Sequence, residues 1–172
     1  MGTTGLESKF GSTEEFIVRL KEFAEGKLSG QQFYNFSDAQ INSMADAARR
    51  NFESGRYEQA RVIFEGLCEF VPSNQSYLIS LGIIYFLEND LDKAIDSMSR
   101  AIGLGNKEGI VHLIRGESYY LLGKRELGLK DLVESCRLEA SKESLVNKRA
   151  TALVNVLGKI PAKAAPKKIK DR

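Results

Sequence analysis

The sequence predicts an all-α protein built from repeated helical hairpins, and three features of its 172 residues support this. A small residue recurs at 34-residue spacing through three copies, and a turn-forming residue follows it seven positions later each time. Five positions after the turn residue another small residue appears, followed four residues on by a bulky apolar side chain. The matching residues are, copy by copy, Ala48, Gly55, Ala60 and Phe64; Gly82, Asn89, Ala94 and Met98; and Gly116, Gly123, Gly128 and Leu132.

This period is typical of the tetratricopeptide repeat, in which each copy forms two antiparallel helices and the copies stack into a solenoid. Two helices approach closely only where side chains are nearly absent, so the small residues of each copy predict its crossing point. The predicted pairs are Ala48 with Ala60, Gly82 with Ala94, and Gly116 with Gly128. The turn residues favour a left-handed backbone at the end of each first helix.

Residues 1–36 are predicted to hold an N-terminal helix and a connector. Ser12 and Glu15 have the spacing of a capping box, and an apolar stripe of Phe16, Leu20 and Phe23 follows. A lone amphipathic helix needs a surface to cover that stripe. We expect Phe16, Leu20 and Phe23 either to cover the repeats or to form a homodimer contact with a second copy.

Residues 37–158 are predicted to hold the three repeats and a helix that caps them. The repeats are expected at about 38–69, 75–104 and 109–138, the first one opened by a capping box of Ser37 and Gln40. The capping helix is expected at about 142–157. Its predicted apolar face consists of Leu145, Val146, Leu153, Val156 and Leu157.

The formal net charge of +2 is unevenly divided. Residues 159–172 hold six Lys or Arg and one Asp, so they form a predicted flexible basic tail at +5, and the remaining chain is at −3. No run approaches the ~18 apolar residues of a membrane span, and the N-terminus lacks the pattern of a signal peptide. We therefore expect a cytosolic protein, in which Cys68 and Cys136 are free and buried.

Catalytic motifs are missing from the sequence. His112 is the single histidine, and the sequence contains neither a phosphate-binding glycine loop nor a metal-ligand spacing. His112 also falls at a position where the earlier copies have Met44 and Leu78, which favours a packing role. The protein is expected to be neither an enzyme nor a holder of a cofactor or metal.

The first helix of each repeat carries a second apolar face beyond its core positions. In stacked repeats this face lines the concave side, where an apolar surface indicates a binding groove. The predicted groove residues are Ala45, Phe52, Ile79, Ile83, Phe86, Leu87, Ile110, Leu113, Tyr120 and Leu121. Their expected occupant is an extended segment of a client protein, the protein's own first helix, or a second copy.

Residues Phe36 to Leu138 resemble the class II chaperones of type III secretion systems, which hold translocator proteins before export. The resemblance is carried by FSDAQI at 36–41, by GRYEQARVIFEGLC at 55–68, and by three repeats between an N-terminal helix and one capping helix. It implies a helical, often dimeric chaperone that holds a proline- and leucine-containing client segment. It also implies that Phe52, Phe86 and Tyr120 are aromatic side chains of the groove.

An adaptor that joins folded cytosolic proteins is the alternative. The Lys, Asn and Arg clamp with which some tetratricopeptide domains bind acidic chain ends is missing, since the equivalent positions hold Ala45, Arg49, Ser80, Ile110 and Ile114. A third hypothesis gives the lysine tail a nucleic acid or membrane surface to bind. We expect neither a nucleic acid partner nor stable membrane association.

Overall fold

The computed structural model describes residues 13–139 and 141–159, and these form nine α-helices without a strand. Ser12, residues 1–11 and most of the predicted tail lie outside the described residues, as does the side chain of Phe16. The helices are α1 Thr13–Ala24, α2 Gly30–Phe33, α3 Asp38–Glu53, α4 Tyr57–Phe70, α5 Gln75–Leu87, α6 Leu91–Gly103, α7 Gly109–Leu121, α8 Arg125–Leu138 and α9 Leu145–Leu157. None of these helices is long and apolar enough to cross a membrane.

The chain divides into two compact units, one ending at Tyr77 and the other beginning at Leu78. The first unit contains the N-terminal helix, the connector and the first repeat. The second contains most of the second repeat, the third repeat and the capping helix. The predicted all-α tetratricopeptide architecture is confirmed in each unit.

In the first unit, α3 and α4 form the hairpin of the first repeat. Ala48 and Ala60, its predicted crossing residues, are both fully buried. Gly55 has a φ of 72°, so the left-handed turn predicted at the end of α3 is present. The capping box of Ser37 and Gln40 is also present at the start of α3. The local sequence signals therefore define this hairpin.

The connector of the first unit contains α2, a single helical turn that the sequence analysis did not predict. Its residue Gly30 packs directly on α4, where an added Cβ would lie 2.8 Å from the carbonyl oxygen of Glu69. Aromatic rings extend the contact: Phe36 lies 5.0 Å from Phe70, and Phe33 lies 4.9 Å from Phe23 of α1. The aromatic connector thus attaches α1 to the first repeat.

In the second unit, the turns after α5 and α7 are left-handed as predicted, with φ values of 62° at Asn89 and 77° at Gly123. Gly82 lies at a close approach to α6, where an added Cβ would meet Met98 and Ser97. Ala94 is fully buried and lies on the same side of α6 as these two residues. The neighbours of Gly82 are the 34-residue equivalents of Leu132 and Asp131 beside Gly116, so the register of this crossing agrees with the prediction.

The crossing of α7 and α8 is as predicted. A Cβ added at Gly128 would lie 2.8 Å from the carbonyl oxygen of Gly116, and a Cβ added at Gly116 would lie 3.0 Å from the carbonyl oxygen of Gly128. Backbone therefore meets backbone at this point. Leu132, one turn further along α8, is fully buried.

Helix α9 covers the third repeat with three of the five apolar residues that the sequence predicted, Val146, Leu153 and Leu157. Leu113 and Leu132 form a core cluster with Ala150 and Leu157 of α9. Val146 and Leu153 also pack there. The predicted apolar face was wrong for two residues, since Leu145 is 85% exposed and Val156 60% exposed. Residues 146, 150, 153 and 157 share one side of a helix, and positions 145 and 156 lie outside that side.

Replacing Gly128 with alanine should destabilise the protein although alanine is the better helix former. The new methyl group meets the Gly116 carbonyl oxygen at 2.8 Å, and backbone cannot move aside as a flexible side chain would. We expect a loss of about 1 to 3 kcal/mol in the free energy of unfolding, measured by urea titration.

Gly66→Ala is the matched control, because an added Cβ there has no neighbour within 4 Å. This helical position should gain about 0.5 to 1 kcal/mol from the same substitution. A Gly128→Ala variant as stable as Gly66→Ala would contradict the close crossing.

Candidate functional site

His112 belongs to a buried polar network that joins three helices of the second unit. Its Nδ1 lies 3.0 Å from Oδ1 of Asp131, and the same carboxylate accepts two hydrogen bonds from Arg115, at 2.7 and 2.8 Å. Arg115 also donates to the hydroxyl of Ser99 at 3.1 Å. The hydrogen bond to Asp131 raises the pKa of Arg115 above its ordinary value.

This network has a structural role. The Asp131 carboxylate is committed to two partners, and both it and His112 are buried. No nucleophilic cysteine or serine is bonded to His112 in the described part of the chain. The described residues also contain no group of three side chains suited to hold a metal ion. The predicted packing role of His112 agrees with this arrangement.

The residues predicted to line a groove are not equally accessible. Leu87 and Leu121 are half-exposed, at 50% and 51%. Six others are half-buried, and two are buried. The half-buried residues are Phe52, Ile79, Ile83, Phe86, Ile110 and Tyr120, and the buried ones are Ala45 and Leu113.

Ala45 and Leu113 are therefore corrections to the predicted groove. Ala45 is only 2% exposed, because its single methyl group lies within the core of the first unit. Leu113 is also 2% exposed, because α9 packs over it. Both residues contribute to the core, and neither offers a surface to a partner in this structure.

Phe52 is the only remaining predicted groove residue of the first unit. Its ring lies 5.6 Å from that of Tyr57, the first residue of α4. The ring is thus half-buried against its own hairpin. Its predicted place in a groove stays a prediction.

In the second unit, the accessible apolar residues lie at equivalent places of successive first helices. Leu87 and Leu121 are 34 residues apart, as are Phe86 and Tyr120. First helices of neighbouring tetratricopeptide repeats lie side by side, which places equivalent residues on one surface. We call Ile83, Phe86, Leu87, Ile110 and Leu121, together with Ile79 and Tyr120, the apolar face of the second unit.

An ion pair with a buried carboxylate borders this face. Glu117 occupies the position that Ile83 has one repeat earlier, and it is 9% exposed. Arg149 of α9 donates two hydrogen bonds to its carboxylate, both of 2.6 Å. The charge at Glu117 is therefore neutralised within the unit. Sequence reasoning missed the pair, since nothing in the sequence links residues 32 positions apart.

The Lys, Asn and Arg clamp that binds acidic chain ends in some tetratricopeptide domains is not formed at the equivalent positions of this chain. Arg49 is the one cation among them, and it pairs with Asp46 on its own helix. Ile114 is 5% exposed and belongs to the core. Ser80 and Ile110 are uncharged. An acidic carboxylate would find a single cation at these described positions, and that cation already contacts Asp46.

Helix α1 of the first unit exposes most of its apolar residues. Ile17, Val18 and Leu20 are 47%, 55% and 45% exposed. Arg19 and Phe23 face the connector instead, where Arg19 donates to the carbonyl oxygen of Phe33 at 3.0 Å. Phe23 stacks on Phe33 and is still 39% exposed. The described residues of the first unit therefore leave Ile17, Val18 and Leu20 largely uncovered.

The repeated hairpins, glycine crossings and left-handed turns define the class of the fold, which is that of tetratricopeptide-repeat proteins. A type III secretion system complex from Aeromonas hydrophila is similar, with a TM-score of 0.72 and 19% identity over 81% of this chain and 94% of that one. The Yersinia enterocolitica type III secretion chaperone SycD, in complex with a peptide of the translocator YopD, has a TM-score of 0.66 and 21% identity over 71% and 95% of the two chains.

A tetratricopeptide domain from outside secretion is also similar. The first such domain of Spaghetti, bound to an HSP90 peptide, has a TM-score of 0.63 and 18% identity over 71% of this chain and 93% of that one. No family model matches the sequence. No curated protein matches it either. At these identities the similarities establish the fold.

Removing the Asp131 carboxylate should destabilise the second unit strongly. Asp131→Asn leaves the half-buried Arg115 without its counter-charge, and the amide NH2 that replaces one carboxylate oxygen cannot accept a hydrogen bond from Arg115 or His112. We expect a loss of about 3 kcal/mol, or roughly 6 to 12 °C in the melting temperature.

Glu134→Gln is the control for this experiment, since Glu134 pairs with the exposed Arg137 at the surface of the same helix. Its melting temperature should stay within measurement error of the parent's. Equal melting temperatures for the two variants would show that the Asp131 network contributes nothing to stability.

Proposed function

We propose that the protein is a non-catalytic chaperone that holds an extended apolar segment of a secreted translocator on the apolar face of its second unit. The observation that carries the proposal is the exposure of Leu87 and Leu121, which lie at equivalent positions of two successive repeats. If this side of the first helices faced only water, polar side chains would be expected at these two positions. The protein would act in the cytosol and hold its client before export.

The energetics favour a partner for this face. Fully burying one leucine or phenylalanine side chain gains about 1.5 to 3 kcal/mol. Leu87 and Leu121 are half-exposed, so a substantial part of this free energy is available to a client. In a typical interface, a few anchors of this kind contribute most of the binding free energy.

The chemistry of the face selects an uncharged client segment. The carboxylate of Glu117 at its border is neutralised by Arg149. The remaining side chains are aliphatic or aromatic, with the Tyr120 hydroxyl as a polar group. A charged client residue would lose its hydration here without gaining a counter-ion.

The similar structures support a chaperone of this kind. SycD is bound to a peptide of a translocator, and it shares the repeated hairpins with this chain. The resemblance in residues 36–138 implies the same class of client. The two arguments are independent of the exposure of Leu87 and Leu121.

An adaptor for acidic chain ends is the second candidate, because the similar domain of Spaghetti is bound to an HSP90 peptide. The observations on this chain oppose it. Arg49 is paired with Asp46, and Ile110 and Ile114 occupy positions where such a clamp needs cations. We therefore favour the apolar client.

The exposed side of α1 supports a homodimer. Ile17 and Leu20 are nearly half-exposed and lie three residues apart on one side of the helix. Two copies of such a side can cover each other, as an amphipathic helix requires. Phe23 lies at the edge of this surface, and Phe16 stays a prediction.

The client surface can be tested by co-expression with the translocator encoded in the same genome. We expect the parent to keep the translocator soluble and to co-purify with it. Leu87→Asp combined with Leu121→Asp should reduce the co-purified client by more than tenfold, because two anchors are replaced by charges that must be desolvated. Circular dichroism and the melting temperature should stay nearly unchanged.

Leu127→Asp is the matched control, since Leu127 is 49% exposed on α8, a second helix. This variant should retain the client fully. Retention by the Leu87/Leu121 variant, or a genome without a translocator, would contradict the proposal. A client that is equally soluble without the protein would favour the adaptor.

The dimer has its own test. Ile17→Asp combined with Leu20→Asp should halve the mass measured by light scattering at micromolar concentration, because the charges must be buried in the contact. Val62→Asp, at a 59% exposed position of α4, serves as the control and should leave the mass unchanged. A parent protein of monomer mass would show that α1 has no such role.

A further inference from the structure

The ion pair of Glu117 and Arg149 leaves part of the arginine unused. Nε and Nη2 of Arg149 donate to the two carboxylate oxygens of Glu117, each at 2.6 Å. A guanidinium group carries its N–H donors in a planar fork, so the two N–H groups of Nη1 point away from the carboxylate. Nη1 has no hydrogen-bond partner among the described residues. It is thus a donor that another molecule can use.

The two partners of this pair differ in their access to solvent. The side chain of Glu117 is 10% exposed, whereas that of Arg149 is 56% exposed. The buried carboxylate holds the guanidinium in one orientation, because two parallel hydrogen bonds fix its plane. The open side of Arg149 therefore presents its remaining N–H groups to solvent in a defined direction.

Arg149 lies beside the apolar face of the second unit. Its partner Glu117 shares one side of α7 with Tyr120, three residues later. Ile110 and Tyr120, both of the apolar face, also pack against the core cluster that contains Ala150. Ala150 is the residue that follows Arg149 on α9. A client segment on the apolar face thus comes within reach of the guanidinium.

Stability alone does not account for an ion pair at this place. One repeat earlier the residue equivalent to Glu117 is Ile83, which needs no counter-charge. Replacing a buried ion pair by apolar residues of similar volume is often neutral or stabilising, because the charges are costly to desolvate. A carboxylate that fixes a half-exposed arginine is better explained by the donor that it positions.

An extended client segment needs such a donor. Extended chains form no internal hydrogen bonds, so their carbonyl groups depend on water or on a binding partner. On the apolar face, the carbonyl groups that turn toward the protein lose their water, and aliphatic side chains offer no hydrogen bond in exchange. Besides the Tyr120 hydroxyl, Arg149 supplies a donor at this face.

Charge favours a carbonyl group over a carboxylate as the acceptor. The pair of Glu117 and Arg149 is neutral as a whole, so a client carboxylate would meet the negative charge of Glu117 beside the positive charge of Arg149. A carbonyl oxygen accepts a hydrogen bond without bringing a charge of its own. A hydrogen bond from a guanidinium is also stronger than one from a neutral donor.

We propose that Nη1 of Arg149, oriented by Glu117, donates a hydrogen bond to a backbone carbonyl group of the extended client segment. This inference rests on the proposed function, and it adds recognition of the client's backbone to that of its apolar side chains. It makes the site selective for extended segments, since the carbonyl groups within an α-helix are already bonded. Arg149 is a binding residue in this account, and Glu117 is a positioning residue.

The test uses the full chain and short labelled peptides that together span the translocator encoded in the same genome. The peptide that binds most tightly, measured by fluorescence anisotropy, is resynthesised with a thioamide in place of one peptide bond at a time. The sulfur of a thioamide is a weaker acceptor than a carbonyl oxygen. At one bond the thioamide should weaken binding to the parent by about three- to tenfold, the loss expected for one hydrogen bond.

Two variants assign that bond to Arg149. Glu117→Ile combined with Arg149→Met removes both charges together, so neither is left unpaired, and its melting temperature should stay near the parent's. Arg149→Lys keeps the ion pair but has no second nitrogen at the place of Nη1. Each variant should bind the unmodified peptide about three- to tenfold more weakly and be insensitive to the thioamide at that bond. Glu134→Gln with Arg137→Met removes an ion pair at the surface of α8, and this control should behave as the parent does.

A purely structural pair predicts the opposite result for Glu117→Ile with Arg149→Met. That variant would enlarge the apolar face and bind the unmodified peptide at least as tightly as the parent, which would overturn the inference. So would a thioamide scan without a sensitive bond, or a sensitive bond that neither variant affects. If the double variant does not fold, Arg149→Lys decides alone. Binding of no peptide by the parent would overturn the proposed function itself, whereas the other outcomes leave that function intact.

Discussion

The contact between the backbones of Gly116 and Gly128 is the constraint on which the second unit depends. It brings α7 and α8 as close as two helices can come, and the two carbonyl oxygens leave no room for a β-carbon. This close contact fixes the position of α8 against α7, and so it determines which side chains the next residues of α8 meet. Asp131 meets His112 and Arg115, and Leu132 enters the core. The polar network of Asp131 and the apolar core around Leu132 thus both depend on the crossing of Gly116 and Gly128.

Features fixed by short stretches of backbone could be predicted from the sequence. Asn89 and Gly123 adopt the left-handed turns that their types favour, and the capping box at Ser37 needs only four residues. Such signals are local, so one sequence contains all the information they require. The single turn α2 was missed because its capping residues, Ser29 and Gln32, lie in a short connector without periodicity.

Features that depend on the rotation of a helix were less predictable. Each residue turns a helix by about 100°, so a small error in orientation exchanges a core side for a surface side. Leu113 and Leu145 were misplaced for this reason, in opposite directions. Leu113 is covered by α9, whose orientation is set by Ala150 and Leu157. The ion pair of Glu117 and Arg149 depends on that same orientation, so it could not be predicted from the sequence.

The core cluster of the second unit also imposes an order on synthesis. Leu113 and Leu132 are synthesised before the residues that cover them, Ala150 and Leu157. Those two residues belong to α9, which is the last of the described helices to be synthesised. A nascent chain can fold each hairpin as it emerges, because the hairpin contacts are local. Until α9 has been synthesised, the nascent chain exposes an apolar patch, which makes it prone to aggregation and proteolysis. Synthesis of α9, rather than of any single hairpin, therefore protects the core of this unit in the cell.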